Sequence, residues 1–198
     1  MKFTPTRRLL LIAAIAAPLC ALAAPSEVPA AVWQQLQGSH WIADGDAKAP
    51  RVVYVFTDAN CPYCTKFWED ARPWVDSGKV QLRHLMVGII APTSPGKAAA
   101  LLADQDPSAA LAAYERVQLG QATKTIASGN PQALRGGPLK PLQQIPPAIR
   151  AEIDANQKLM ASLHIPGTPG VVWRDPKGAV HSVMGGRSDN FPEIFGPQ

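Results

Sequence analysis

The sequence has few residues that could cross-link the chain or bind a metal. Its 198 residues include three cysteines and four histidines, and no two histidines form a doublet at metal-ligand spacing. A structural zinc site normally requires four ligands. After the first 24 residues the chain also lacks an internal repeat and an apolar run long enough to span a bilayer. These absences exclude a multi-disulfide scaffold and argue against a zinc module and a membrane-spanning domain.

The first 23 residues have the pattern of an export signal. Lys2, Arg7 and Arg8 precede the apolar run 9–19, and small residues flank a cleavage site after Ala23. We therefore predict a signal peptide over residues 1–23, a periplasmic product and no membrane insertion after cleavage.

Removal of the signal changes both the charge and the cysteine count. The signal carries three of the 19 basic residues and none of the 15 acidic ones, so the mature net charge is +1. The sequence pI of about 9.1 therefore gives no argument for a nucleic-acid partner. Cys20 is also removed, which leaves Cys61 and Cys64. Lipid attachment to Cys20 is the alternative, but the bulky Leu19 precedes it where such processing favours a small residue.

The periodicity along the mature chain predicts one α/β domain. Two strands flank a helix, a helical insertion follows at about 94–163, and a β-hairpin and a short helix end the chain. This order fits a thioredoxin-like fold with the insertion between the second strand and the strand after Thr168-Pro169. We expect a lead-in over 24–50 and a catalytic domain over 51–198, with 120–147 as loop or weak helix. Helices are predicted at 28–37, 62–75, 96–103, 107–119, 146–163 and 188–195, and strands at 51–56, 79–87, 170–174 and 179–184.

The segment Cys61-Pro62-Tyr63-Cys64 lies where the first of these strands runs into a helix. Unpaired N–H groups at a helix N-terminus favour a thiolate, so Cys61 is the candidate nucleophile. Cys64 lies one turn later on the same face and is the candidate resolving cysteine. Pro62 and Tyr63 are expected to tune the redox potential. A metal site and an inert structural disulfide are the alternatives for the pair.

Two further residues or pairs are candidates for the same site. Thr168-Pro169 directly precedes a strand, and a cis bond there would leave the Thr168 backbone free to pair with an extended substrate. Asp58, three residues before Cys61, is either a turn or cap residue or an influence on the cysteine pKa.

From about Ser39 to its C-terminus, the chain resembles the periplasmic thiol:disulfide interchange proteins of the DsbC/DsbG family. The resemblance is carried by the segments SHWIADG, YVFTDANCPYC, FWEDARPWVDSGKVQLR, LLADQDPSAALAAYE and NQKLMASLHIPGTP. It implies that Cys61 attacks, that Cys64 resolves, and that Thr168-Pro169 is the family's Thr-cis-Pro loop. It further implies protein substrates with disulfides or oxidised cysteines, including sulfenic acids, and reduction by a membrane thiol reductase of the DsbD type. No cofactor and no metal ion are expected.

One departure from the family affects the expected activity. Only about 15 mature residues precede Ser39, so we expect a partial linker helix, no N-terminal dimerisation domain, and a monomer. The leading hypothesis is a periplasmic thiol:disulfide oxidoreductase that works as a reductase. The alternatives are a disulfide-forming oxidase of the same fold, a non-catalytic peptide-binding or holdase module, and a metal-binding module.

Overall fold

A mixed β-sheet runs through the computed structural model, which describes residues 25–197. Its strands are β1 (Ser26–Val28), β2 (Ile42–Asp44), β3 (Arg51–Asp58), β4 (Val80–Val87), β5 (Gly170–Arg174) and β6 (Val180–Met184). They lie in the order β1-β6-β5-β3-β4-β2, in which β3 and β4 are parallel and the other neighbouring pairs are antiparallel. The two longest strands, β3 and β4, therefore lie side by side near the middle and end at the same edge.

Helices pack against both faces of this sheet. They are α1 (Ala31–Gln37), α2 (Pro62–Asp70), α3 (Arg72–Val75), α4 (Ser94–Leu102), α5 (Pro107–Ala127), α6 (Pro147–Ser162) and α7 (Phe191–Phe195). The strand–helix–strand unit β3-α2-β4 is the predicted parallel crossover, and the hairpin β5-β6 follows the helical residues as predicted.

The alternation of side chains along β3 divides the core into two layers. Val53 and Val55 point to the face covered by α2, α3 and α7, where Phe67 and Trp74 are buried beside them. Tyr54 and Phe56, with the partly buried Val52, pack on the opposite face against α1 and α6. Burial of both faces explains why β3 is apolar without interruption from Val52 to Phe56.

A third apolar cluster lies between the helical insertion and the sheet. It joins α4, α5 and α6 to Met86 of β4 and to Ile42 of β2, and α5 also packs along α2. The insertion therefore extends the core at the edge of the sheet and contacts the helix that begins after Cys61.

The structure refines two predicted helices. The helix predicted over 62–75 is divided into α2 and α3, with Pro73 in the first turn of the second piece, as its fixed φ angle favours. The helix predicted to end at residue 119 continues to Ala127. Gly120 is exposed and costs only about 1 kcal/mol in a helix, and Ala122 behind it is fully buried. Packing therefore extends the helix past a residue that favours its end.

The strands β1 and β2 were not predicted, because three residues are too few to show a period of two. Both lie within the predicted lead-in. They are the two edge strands of the sheet whose other four strands lie within residues 51–198. The predicted signal peptide, including Cys20, lies outside the described residues. Within residues 25–197, the helices are too short or too polar to cross a bilayer.

The five-residue helix α7 is too short to be stable alone, so its packing should carry measurable stability. Ile194 of α7 is fully buried in the layer that contains Trp74. We expect Ile194→Ala to lower the free energy of unfolding by about 2 to 5 kcal/mol, measured by denaturant titration of the reduced protein. Val117→Ala, at a site that is 60 % exposed, should change it by no more than about 0.5 kcal/mol. Equal effects of the two substitutions would contradict this role for α7.

Candidate active site

The buried carboxylate of Asp58 holds together two loops at the ends of β3 and β4. It accepts hydrogen bonds from the backbone N–H groups of Asn60, Ile89 and Ile90 at 2.8, 2.7 and 3.0 Å. The hydroxyl of Ser94, at the start of α4, donates a fourth bond at 2.7 Å. These four donors compensate the burial of the charge, so Asp58 fixes the turn after β3 against the loop after β4.

Asp58 therefore stabilises the turn before α2, which is one of the two roles predicted for it from the sequence. Its backbone carbonyl also accepts the Cys61 N–H at 2.9 Å, which sets the path of the chain into α2. The Asp58 carboxylate is not among the groups that shift the pKa of Cys61.

Cys61 occupies the N-cap position of α2, as its place after a strand predicted. Its backbone is extended, with φ of −86° and ψ of 113°, and Pro62 is the first helical residue. The Cys61 carbonyl accepts the N–H groups of Cys64 and Thr65 at 3.1 and 3.4 Å and so begins the helix. The Cys61 sulfur therefore lies where unpaired N–H groups stabilise negative charge.

The environment acts in opposite directions on the two thiols. A hydrogen bond from the Cys64 side chain lowers the pKa of Cys61 below its ordinary value of 9.0. Burial opposes this shift, whereas the backbone N–H groups of Cys64 and Tyr63 add to it. The pKa of Cys64 is raised well above 9.0, first by burial and then by Cys61 itself. Of the two thiols, Cys61 is therefore the one that loses its proton more readily.

The loop that contains Thr168 and Pro169 faces this pair. The bond between these two residues is cis, and the Thr168 carbonyl lies 3.2 Å from the Cys61 sulfur. The Pro169 carbonyl accepts the Gly185 N–H at 2.6 Å, which ties the loop to the residue after β6. The Thr168 hydroxyl is buried and has no hydrogen-bond partner in the described residues. The loop thus contributes one wall of the site and an unpaired polar group beside the sulfur.

A groove of about 390 Å³ runs from this loop across the start of α2. Tyr63 and Met184 are 46 % and 44 % exposed on its sides, although large apolar side chains are usually buried. Pro62, by contrast, is buried under the turn. The groove is lined by Tyr63, Lys66, Phe67, Thr168, Pro169, Met184, Gly185, Gly186 and Arg187. It can accept an extended, partly apolar chain next to Cys61.

A buried acid lies behind α2 and was missed by sequence reasoning. Glu115 of α5 is almost fully buried and accepts a 2.6 Å hydrogen bond from the hydroxyl of Thr65, the residue after Cys64. The pKa of Glu115 is raised to about 7, mainly by burial and also by the charge of Asp44, whereas the Thr65 bond and Arg72 oppose the shift. The position of Glu115 within a helical stretch did not predict its hydrogen bond with Thr65, because that bond depends on how α5 packs on α2.

The six residues that the sequence assigned to the site lie together in the structure. Cys61, Pro62, Tyr63 and Cys64 form the turn into α2, and Thr168 and Pro169 lie across from it. Both cysteines are free thiols, and residues 25–197 contain no cluster of three His, Cys, Asp or Glu side chains that could hold a metal ion.

Comparison with protein families and curated sequences gives consistent matches. A thioredoxin family model matches residues 37–177. The thiol:disulfide interchange protein DsbG of Pseudomonas aeruginosa is 47 % identical over 168 residues, which cover 84 % of this chain and 59 % of that protein. DsbG of Escherichia coli is 40 % identical over 158 residues, or 78 % of this chain and 56 % of that protein. The chain thus matches somewhat more than half the length of each of these relatives.

Solved structures match the same fold. The catalytic domain of Proteus mirabilis ScsC has a TM-score of 0.60 at 22 % identity, covering 84 % of this chain and 93 % of that one. A periplasmic thioredoxin-like protein from Salmonella enterica has a TM-score of 0.61 at 17 % identity, covering 86 % and 97 %. The thioredoxin-like α/β fold predicted from the sequence is confirmed.

The opposite shifts of the two thiols give a test in the reduced protein. The hydrogen bond from Cys64 is the largest contribution to the low pKa of Cys61. We therefore expect Cys64→Ala to raise the pKa of Cys61, whereas Cys64→Ser should keep it lower than in the alanine variant because a hydroxyl still donates. The rate of Cys61 alkylation by iodoacetamide as a function of pH measures both values, since the thiolate is the reacting form. Identical profiles for the two variants would refute this explanation.

Glu115 should make stability depend on pH in a defined direction. Its pKa is about 7 in the folded state against an ordinary value of 4.5, so the unfolded chain releases the proton first and stability falls as pH rises between these values. Glu115→Gln keeps an acceptor for Thr65 and removes the titration. Relative to wild type, the variant should gain about 3 kcal/mol from pH 4.5 to pH 8, measured by urea unfolding of both reduced proteins. A difference that stays constant over this range would contradict the buried titration.

Proposed function

The chain belongs to the thioredoxin family and is similar to DsbG, and on this basis we propose that it is a periplasmic thiol:disulfide oxidoreductase that reduces oxidised cysteines in other proteins. In this proposal Cys61 is the nucleophile and Cys64 is the resolving thiol. The main support is the asymmetry of the pair, in which the same helix start carries one thiol with a lowered pKa and one with a raised pKa.

The reaction begins when the Cys61 thiolate attacks one sulfur of a substrate disulfide. A bond forms between Cys61 and that sulfur, the substrate S–S bond breaks, and the other substrate sulfur leaves as a thiolate that takes up a proton. As the mixed disulfide forms, the charge on Cys61 disappears, and with it one of the causes that raised the pKa of Cys64.

The second step releases the substrate. Cys64 loses its proton and attacks the Cys61 sulfur, the mixed disulfide breaks, and the substrate leaves as a second thiol. The protein then holds a Cys61–Cys64 disulfide and the substrate has gained two electrons. A sulfenic acid follows the same route, with water as the first leaving group and one substrate thiol as the product.

The loop opposite Cys61 supports a role in substrate positioning. An extended substrate in the groove would run beside the Thr168 backbone, and the unpaired Thr168 hydroxyl could donate to it. Tyr63 and Pro169 would contact its side chains. Pro62 and Tyr63, between the cysteines, fix the separation of the two sulfurs and are the positions where substitution should change the reduction potential.

Repeated turnover requires a reductant for the Cys61–Cys64 disulfide. We assign this role to a membrane thiol reductase of the DsbD type, which would supply two electrons and two protons per cycle. With that supply the pair is kept mostly reduced in the cell. A pair that is found mostly oxidised would instead indicate the disulfide-forming oxidase, which runs the same two steps in reverse.

Trapping of the mixed disulfide tests the proposed chemistry. Cys64→Ser removes the resolving thiol, so we expect covalent adducts through Cys61 that dithiothreitol releases, seen on non-reducing gels of protein expressed in the periplasm. The double variant Cys61→Ser, Cys64→Ser is the matched control and should trap nothing. Absence of adducts from Cys64→Ser, together with a wild type that does not reduce insulin disulfides, would refute the oxidoreductase assignment. Protection of unfolded proteins by the double variant would then favour a holdase.

A further inference from the structure

A second and larger cavity adjoins the turn that precedes Cys61. Residues 131–142 cross over α4 and are fixed at both ends by backbone hydrogen bonds, from Leu134 N–H to the Asn60 carbonyl at 2.8 Å and from Leu142 N–H to the Gly96 carbonyl at 3.0 Å. A Cβ atom on Gly96 would lie 2.7 Å from the Leu142 carbonyl oxygen, so glycine permits this close approach. Between the crossing segment and α4 remains a cavity of about 840 Å³.

Lys97 of α4 lines this cavity and is only 3 % exposed. Its ammonium group donates to the Tyr114 hydroxyl at 3.1 Å and to the Gly136 carbonyl at 3.2 Å, both of which are neutral. Among residues 25–197, no carboxylate forms an ion pair with the Lys97 ammonium group. Since an ammonium group has three N–H donors, one remains for a group inside the cavity.

The charged residues that line the cavity are all positive. Arg135 and Lys140 are exposed cations on the crossing segment, neither forms an ion pair within residues 25–197, and no acidic side chain lines the cavity. Burial lowers the pKa of Lys97, and the charge of Asp58 opposes this. A buried cation without a direct counterion is costly, so an anion that enters the cavity would be stabilised by it.

The cavity adjoins the reacting sulfur through the turn that precedes it. The Tyr114 hydroxyl, which Lys97 contacts, donates to the Ala59 carbonyl, and Asn60, which holds Leu134, is the residue before Cys61. The groove along Thr168 includes Tyr63, which follows Cys61 in the chain, and it shares no lining residue with this cavity. A polypeptide whose cysteine reacts with Cys61 can therefore extend from the groove toward this cavity.

We propose that the cavity lined by Lys97, Arg135 and Lys140 binds a carboxylate side chain of the polypeptide substrate, close in sequence to the cysteine that Cys61 attacks. This assignment rests on the proposed oxidoreductase function and specifies its substrates. The guanidinium of Arg135 can bind a carboxylate through two N–H groups, and Lys97 supplies a single donor deeper in the cavity. Apolar residues such as Ile90 and Leu139 also line the cavity and reduce the competition from water.

Single-turnover kinetics with two model peptides test the inference. The reduced protein is mixed with peptide disulfides that differ only in a Glu or a Gln placed two to five residues from the reacting cysteine, and the second-order rate constant is measured. We expect the best Glu peptide to react about tenfold faster than its Gln counterpart at low salt, with a smaller ratio at high salt. The double variant Arg135→Gln, Lys140→Gln should reduce the ratio toward one while leaving the rate of the Gln peptide unchanged. Lys97→Gln should also reduce the ratio toward one.

Matched controls come from the opposite end of the sheet. Arg174→Gln and Lys177→Gln remove exposed cations beside the β5-β6 turn, about 20 Å from Cys61 by the length of β3, and should keep the wild-type ratio. The Arg135 and Lys140 substitutions lie on an exposed surface, so they test the inference even if Lys97→Gln fails to fold.

A binding measurement separates this inference from the oxidoreductase proposal. The Cys61→Ser, Cys64→Ser protein is titrated with cysteine-free Glu and Gln peptides by calorimetry, and tighter binding of the Glu peptide supports the cavity whether or not thiol exchange occurs. Failure of wild type to react with either disulfide peptide would count against the redox function alone. Equal rates and equal binding of Glu and Gln peptides at all positions would overturn the carboxylate site.

Discussion

The buried carboxylate of Asp58 is the interaction on which the reactive end of the molecule depends. It gathers the backbone N–H groups of two loops and a hydroxyl of α4, and thereby joins the ends of the parallel strands β3 and β4. The position of the Cys61 sulfur at the helix start follows from this turn. Because the charge is fully hydrogen-bonded, its burial favours a single loop arrangement rather than several.

The two cysteines have the same side chain, but their surroundings shift the pKa values of the two thiols in opposite directions. Both are buried, but Cys61 receives hydrogen bonds at the start of α2, whereas Cys64 lies deeper and next to a negative sulfur. Glu115 and Thr65 add a polar contact behind the same helix. In the proposed mechanism, the division of roles between attacking and resolving thiol depends on the start of α2, on the burial of Cys64 and on the loop at Thr168, as well as on the spacing of the cysteines.

The sequence predicted those structural features that depend on residues close together in the chain. Apolar periodicity gave β3, β4, the hairpin and the main helices, and the position of the Cys61–Cys64 pair after a strand gave the helix start. Thr168-Pro169 was found because a proline before a strand is a local signal. The edge strands β1 and β2, the partner of Glu115 and the surroundings of Lys97 depend on contacts between distant segments, for which a single sequence carries no periodic signal.

The helical insertion is distant from the two-cysteine turn in the chain, but it forms hydrogen bonds with that turn. Two carbonyl groups of the turn, on Ala59 and Asn60, accept their hydrogen bonds from Tyr114 and from the N–H of Leu134, which both belong to the insertion. An ancestor or an engineered variant that lost these residues would leave both carbonyls without these partners beside the reactive sulfur. The insertion therefore completes the hydrogen bonding of the two-cysteine turn, although Tyr114 and Leu134 are 50 or more positions away from it in the chain.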